Sequence, residues 1–219
     1  MTEAPPLLAS QVMNLHDQLL LSPGWPQAEP TVPVAPDAEL WRWVQANHRN
    51  NSLLWAEEDL ARRTTVADAE IAANKRAIDR YNQARNDATE RVDELLLLAL
   101  GLVDEVSARS AAPVSRRPPG ARLNSETAGS MIDRLSIMAL KSKAMHEQML
   151  RRDVDPAHRD ASRAKWQRLQ EQRSDLGSCL DALLAQTAAG EAYFKVYRQF
   201  KMYNDPQLNP QLVKEHLKP

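Results

Sequence analysis

Cysteine is nearly absent: Cys179 is the only one in 219 residues. An internal disulfide framework is thereby excluded, and the chain suits a reducing compartment, so we expect a cytoplasmic protein. Glycine is scarce too, six in all, and none falls in a GxGxxG or Walker pattern, which argues against a phosphate-cradling α/β enzyme. The five histidines show no HExxH or Cys/His spacing, so no structural zinc site is expected and no cofactor motif is present. The longest apolar run, Leu95 to Leu100, is far too short to span a bilayer. No basic segment precedes an apolar core at the N-terminus, so we expect no secretory signal. A net charge of −1 supplies no global basic field for nucleic acid.

Proline, by contrast, is plentiful, and its fourteen residues punctuate the chain. Seven precede Asp37, three lie at Pro113, Pro118 and Pro119, Pro156 stands alone, and Pro206, Pro210 and Pro219 come last. Between them run long proline-free segments with helical spacing. These predict an all-α protein without sheet, a bundle of five to six helices with a polar central cleft. Residues 1–36 form an N-terminal helix and a proline-rich connector whose Trp25 docks on the bundle, 37–205 the bundle, and 206–219 a tail. Within the bundle the helices run from Asp37 to about Arg63, from Thr65 to about Arg109, and from near Ser125 to about Arg152. A fifth starts at Asp155–Pro156 and breaks near Gly190, and a shorter one covers the aromatic stretch from Tyr193 to Asp205. Thr65 and Asp68 are expected to cap the second of these reciprocally. The connecting stretch 110–124, with Arg116, Arg117 and Arg122, reads as a solvated connector, with a lid as the lesser alternative.

The helix after Thr65 organises the rest. Its row Ile71, Lys75, Ile78, Asn82, Arg85, Thr89, Val92, Leu96 is apolar at the ends and polar in the middle, and the adjacent row carries Asp79, Asn86, Glu90 and Asp93. A plain bundle helix keeps its inward row apolar throughout. The preceding helix behaves alike: Leu40 and Val44 lead to Asn47, Asn51, Leu54, Glu58 and Arg62. In the fourth, Asp133 shares a row with Ile137, Leu140 and Ala144, with Lys141 two turns on. A carboxylate on an apolar row requires a partner, and Arg85 or Lys75 is expected to supply it. Together these rows predict a polar site inside the bundle, with Lys141 facing the same interior. Amides beside guanidinium groups suit hydroxyls and phosphates. The expected ligand is therefore a polar anion such as a sugar phosphate or nucleotide sugar. If chemistry occurs, Asp79 or Asp133 is the acid or base, its pKa raised by burial.

Four stretches, NNSLLWAEEDLAR (Asn50–Arg62), IAANKRAIDRYNQARND (Ile71–Asp87), SETAGSMIDRLSIMALK (Ser125–Lys141) and YRQFKMYNDPQLNP (Tyr197–Pro210), resemble the uncharacterised bacterial family DUF4254. Ala128 stands where the family pattern has proline. The resemblance implies a bacterial cytosolic protein, often encoded near glycosyltransferases of lipopolysaccharide assembly, and it carries over no catalytic residue. Its fourth stretch adds Arg198 and Lys201 to the candidate binding residues. Two alternatives stand beside the small-ligand reading. Glu58, Asp59, Glu90 and Asp93 could hold Mg²⁺ as in all-helical nucleotide hydrolases, although a matching ExxE is missing. Or the polar rows bond only one another, and the protein is an adaptor for a membrane-associated glycosyltransferase, docking through its aromatic C-terminal motif with Lys195 and Lys201.

Overall fold

The computed structural model describes residues 5–28, 38–199 and 205–216. Among them are seven helices: α1 (Ala9–Leu21), α2 (Ala38–Leu60), α3 (Asp68–Ala99), α4 (Glu105–Ala108), α5 (Ala128–Leu150), α6 (Pro156–Ala188) and α7 (Pro210–His216). The architecture is two long hairpins, α2–α3 and α5–α6, with α5 in the middle touching α1, α2, α3 and α6. Among the described residues no helix is long and apolar enough to cross a membrane.

Local chemistry accounts for the boundaries. α3 runs unbroken for 32 residues because nothing in it breaks a helix, and it stops where Gly101 takes up φ +67, a conformation that favours glycine. The Thr127 side chain accepts from Ser130 N at the start of α5 (3.1 Å). The Asp155 carboxylate accepts from His158 N at the start of α6 (2.6 Å), just before Pro156. Two helices are capped from a distance. Asp181 of α6 accepts from Ala9 N at the start of α1 (2.7 Å), and Asp93 of α3 accepts from Gly129 N at the start of α5 (2.6 Å). Carboxylates there satisfy unpaired N–H groups and complement the helix dipole. The expected cap of Thr65 and Asp68 does not form: the residue before α3 is Ala67, with no side-chain bond.

The core gathers Val44, Val92, Leu96, Leu97, Ile132, Leu135, Leu180 and Leu184, all but sealed from solvent. Phe194 joins them, and here the expectation of a helix over 193–205 fails within the described residues. Ala192–Tyr193 (β2) instead pairs in parallel with Arg122–Leu123 (β1), and residues 194–199 are not helical. The reason is non-local. Tyr193, Phe194 and Val196 are buried in the core, and the backbone bonds Arg122 N to Glu191 O and Asn124 N to Tyr193 O. A helix would break both bonds. This two-residue pair is the exception to the expected absence of sheet.

α1 is held by rings. His16 and His48 are fully buried and stack with centroids 4.4 Å apart, while Trp25 stacks on the other side of His48 at 5.3 Å. The Trp25 indole also donates to Ser52 Oγ (3.1 Å), so the tryptophan docks on the bundle as expected.

Candidate functional site

Midway along α2 the inward row turns from Val44 to Asn47, His48 and Asn51, and all three are buried. Buried amides must find partners, and α3 and α5 supply them. Asp133 Oδ1 accepts from Asn47 Nδ2 and Asn51 Nδ2, both at 2.8 Å. Asn47 also donates to Thr89 Oγ1 (3.0 Å), whose hydroxyl donates to the Arg85 carbonyl (3.0 Å). Asn51 donates to Ser136 Oγ (3.0 Å), and Ser136 bonds His48 Nδ1 (2.8 Å). Three helices are thus joined by a continuous polar seam under the apolar core.

A cleft of about 280 Å³ opens beside the seam between α2, α3 and α5, lined in part by Asn51, Trp55, Glu58, Arg62, Arg85 and Leu140. Arg85 bridges seam and cleft. Its Nη2 donates to Asn86 Oδ1 (3.0 Å), and its Nε stands 3.9 Å from Asp133 Oδ1, buried and without a hydrogen-bond partner. Arg85 is therefore the basic neighbour expected for Asp133, at ion-pair rather than hydrogen-bond distance. At the rim, Arg62 and Glu58 pair on the exposed side of α2 (2.8 Å).

The remaining predicted residues separate. Lys75 and Asp79 form an exposed pair with each other (2.9 Å), one turn apart on the outer side of α3, so neither enters the seam. Asn82 is half-buried and bonds no side chain among the described residues. Asn86 is buried and donates to Gln199 Oε1 (2.8 Å), tying the segment after β2 to α3. Lys141 does not share the interior of Asp133. Eight residues separate the two, a rotation of about 80° beyond two full turns, and Lys141 is exposed between α5 and α6. Arg198 lies away from the cleft, a clamp on α3: it pairs with Glu90 (3.0 Å) and Glu94 (2.5 Å) and donates to the Ala108 and Ser110 carbonyls. Lys201 falls outside the described residues. The carboxylates weighed for magnesium are dispersed, with Glu90 bound to Arg198 and Asp93 to Gly129 N. No cluster able to hold a metal occurs among the described residues.

His48, Ser136 and the burial of Asp93 escape a reading of rows, because each is defined by what lies across the bundle. Burial pushes the Asp93 carboxyl up to about 7, with Glu90 and Glu94 adding to it and the bonds to Thr127 and Gly129 opposing. Burial lowers His48 to about 3. Burial lowers His16 well below its ordinary value too, assisted by His48 and Arg173. His16 has neither ring nitrogen hydrogen-bonded.

Fold and site define an all-helical bundle whose interior polar seam borders a small surface cleft. The chain belongs to the family described as Protein of unknown function (DUF4254), which matches residues 41–196. That span takes in the whole seam and every residue lining the cleft. No curated protein and no solved structure matches the chain.

Proposed function

We propose that the chain binds a phosphorylated sugar or nucleotide sugar in the cleft between α2, α3 and α5, in the service of cell-surface polysaccharide (lipopolysaccharide) assembly. One observation carries the reading: Arg85 Nε is buried at the cleft without a hydrogen-bond partner. A buried N–H donor left without a hydrogen bond is costly, and a phosphate oxygen entering beside Trp55 would satisfy it. Asn86 anchors one end of the guanidinium, so the group is already oriented. The cleft volume of about 280 Å³ sits at the small end of ligand sites and suits one phosphorylated sugar unit. A nucleotide would extend past the rim pair Glu58–Arg62. Because Asp133 Oδ1 is occupied by Asn47 and Asn51, its role in this reading is to hold Arg85, and the function is binding.

The test is a thermal-shift and calorimetric panel of hexose phosphates, nucleotide sugars and inorganic phosphate. A ligand at one hundred times its dissociation constant should add about 2.7 kcal/mol to stability. Arg85→Gln should remove that gain while the unliganded melt stays near that of the parent. A panel without any shift would overturn the reading in favour of the glycosyltransferase adaptor. The satisfied bonds of Asn47 and Asn51 support that second reading, since a seam that bonds itself can serve packing alone.

A further inference from the structure

A larger concavity lies on the other side of α5. The groove between α5 and α6 holds about 930 Å³, and an adjoining recess of about 550 Å³ shares Lys141, Leu169 and Gln172 with it. Its apolar lining follows a seven-residue repeat on both helices: Met131, Met138 and Met145 on α5, and Leu169, Leu176 and Leu183 on α6. In the antiparallel hairpin, with the His146 ring set against Trp166 (6.2 Å), Met145 falls level with Leu169, Met138 with Leu176 and Met131 with Leu183. The result is three apolar rungs about 10 Å apart. Met131, Leu176 and Leu183 are buried in the core, whereas Met138, Met145 and Leu169 are only half-buried, so the groove is open towards its Met145–Leu169 end.

The border is charged with one sign in excess. Arg122, Arg134, Lys141, Lys165 and Arg168 line the groove and recess, against Glu126 and Asp175. Glu126 is already paired with Arg134 and Arg168 with Glu171, whereas Lys141 and Lys165 have no ion pair among the described residues. A repeat of seven is the spacing at which a further helix inserts side chains between two others. Methionine adapts its shape to such an insertion, and the basic border requires acidic flanks.

We propose that the α5–α6 groove is a docking surface for an amphipathic helix of a partner protein, with apolar residues in heptad spacing and acidic residues flanking them. This site lies apart from the cleft of Arg85, and either can fail without the other. The probe is a synthetic helical peptide of about three heptads with Leu at a and d and Glu at e and g, titrated onto the full chain by fluorescence anisotropy. Two controls carry Lys in place of Glu, or the same residues scrambled. The acidic peptide should bind with micromolar affinity, weaken with added salt, and exceed the Lys peptide by about tenfold. Met138→Glu should abolish binding. If that variant melts early, Lys141→Glu decides, because the side chain is exposed: it should weaken the acidic peptide about fivefold with the melting temperature unchanged. Equal binding of the scrambled or Lys peptide would overturn the proposal. So would sedimentation showing a dimer that Met138→Glu converts to monomers, since the groove would then be filled by a second copy of this chain.

Discussion

The two hairpins solve the same packing problem with opposite chemistry. Along α2–α3 the central contacts are hydrogen bonds that reach across to α5, each with its own direction: Asn47 and Asn51 to Asp133, Asn51 to Ser136. Along α5–α6 they are methionine and leucine rungs that any similar volume could fill. Directional bonds are satisfied in one register and left broken in the next, whereas apolar rungs tolerate sliding and substitution. The first hairpin therefore specifies the arrangement, and the second leaves a surface free to adapt. The rate-neutral way to see this is equilibrium unfolding, where the two should respond very differently to single changes.

Removing Asp133 should have the largest effect. Asp133→Ala leaves two buried amide donors without their shared acceptor and Arg85 without its neighbouring negative charge, and we expect a loss of about 3–5 kcal/mol in urea unfolding. Met138→Ala, the matching change on the other hairpin, should cost about 1 kcal/mol, because its side chain is half-exposed and leaves little cavity. If the two losses are equal, the contrast between a specifying and an adaptable hairpin collapses.

Acidity sharpens the comparison, since the buried groups with resolved shifts flank the seam while the rungs cannot titrate. Both His16 and His48 are held below 6.5 in the fold. Their neutral forms are favoured there, so the stability they contribute is full above pH 6.5 and declines as pH falls below it. The slope approaches about 1.4 kcal/mol per pH unit for each ring. Asp93 has the opposite sign. Its folded value of about 7 lies above the ordinary 3.8, so its contribution is full below pH 3.8 and is lost as pH rises through 7. Asp93→Asn should remove the alkaline part of the profile, and His16→Phe the acidic part contributed by that ring. Melts across pH 4–8 of the three proteins would check both, and a His16→Phe profile parallel to the parent would show that the stack does not titrate.

The smallest effect belongs to Asn82. It lies on the same row as Arg85 yet bonds no side chain among the described residues, so Asn82→Leu should change stability by less than about 0.5 kcal/mol. A loss of several kcal/mol would mean that the seam extends farther along α3 than the bonds indicate.

Much of this plan was legible in the chain. Proline placement and helical spacing give the hairpins, Asp155–Pro156 marks a true helix start, the helix expected from near Ser125 begins at Ala128, and the polar centres of three rows identify Asn47, Asn51, Arg85 and Asp133, which do converge. Lys75 and Asp79 turn outward although α2 still runs beside them, with Glu57 bonded to Asn74: the buried face of α3 at that level is Ala77 and Ile78, and a step of about 100° per residue carries Asp79 from it into solvent. Lys141 was misplaced by the accumulated rotation of two turns. The extended segment at Tyr193 and Phe194 depends on Arg122 and Leu123, some seventy residues earlier, and helical spacing carries no trace of such a partner. The His16–His48 stack is hidden for the same reason.

Gly129 gives the bundle a mechanical character. A Cβ there would stand 2.6 Å from the Thr89 carbonyl and 2.9 Å from the Asp93 carboxyl, so the backbone of α5 bears directly on the Thr89 carbonyl of α3, with only the Asp93 carboxyl beside it. Such a contact works as a fulcrum. α5 extends from it as a lever of about 30 Å to Leu150, carrying on its shaft both the wall of the Arg85 cleft at Ile137 and Leu140 and the floor of the methionine groove. A side chain at this point, as in Gly129→Ala, would have to push α5 off α3, and a tilt of α5 about it would shift the walls of both concavities together.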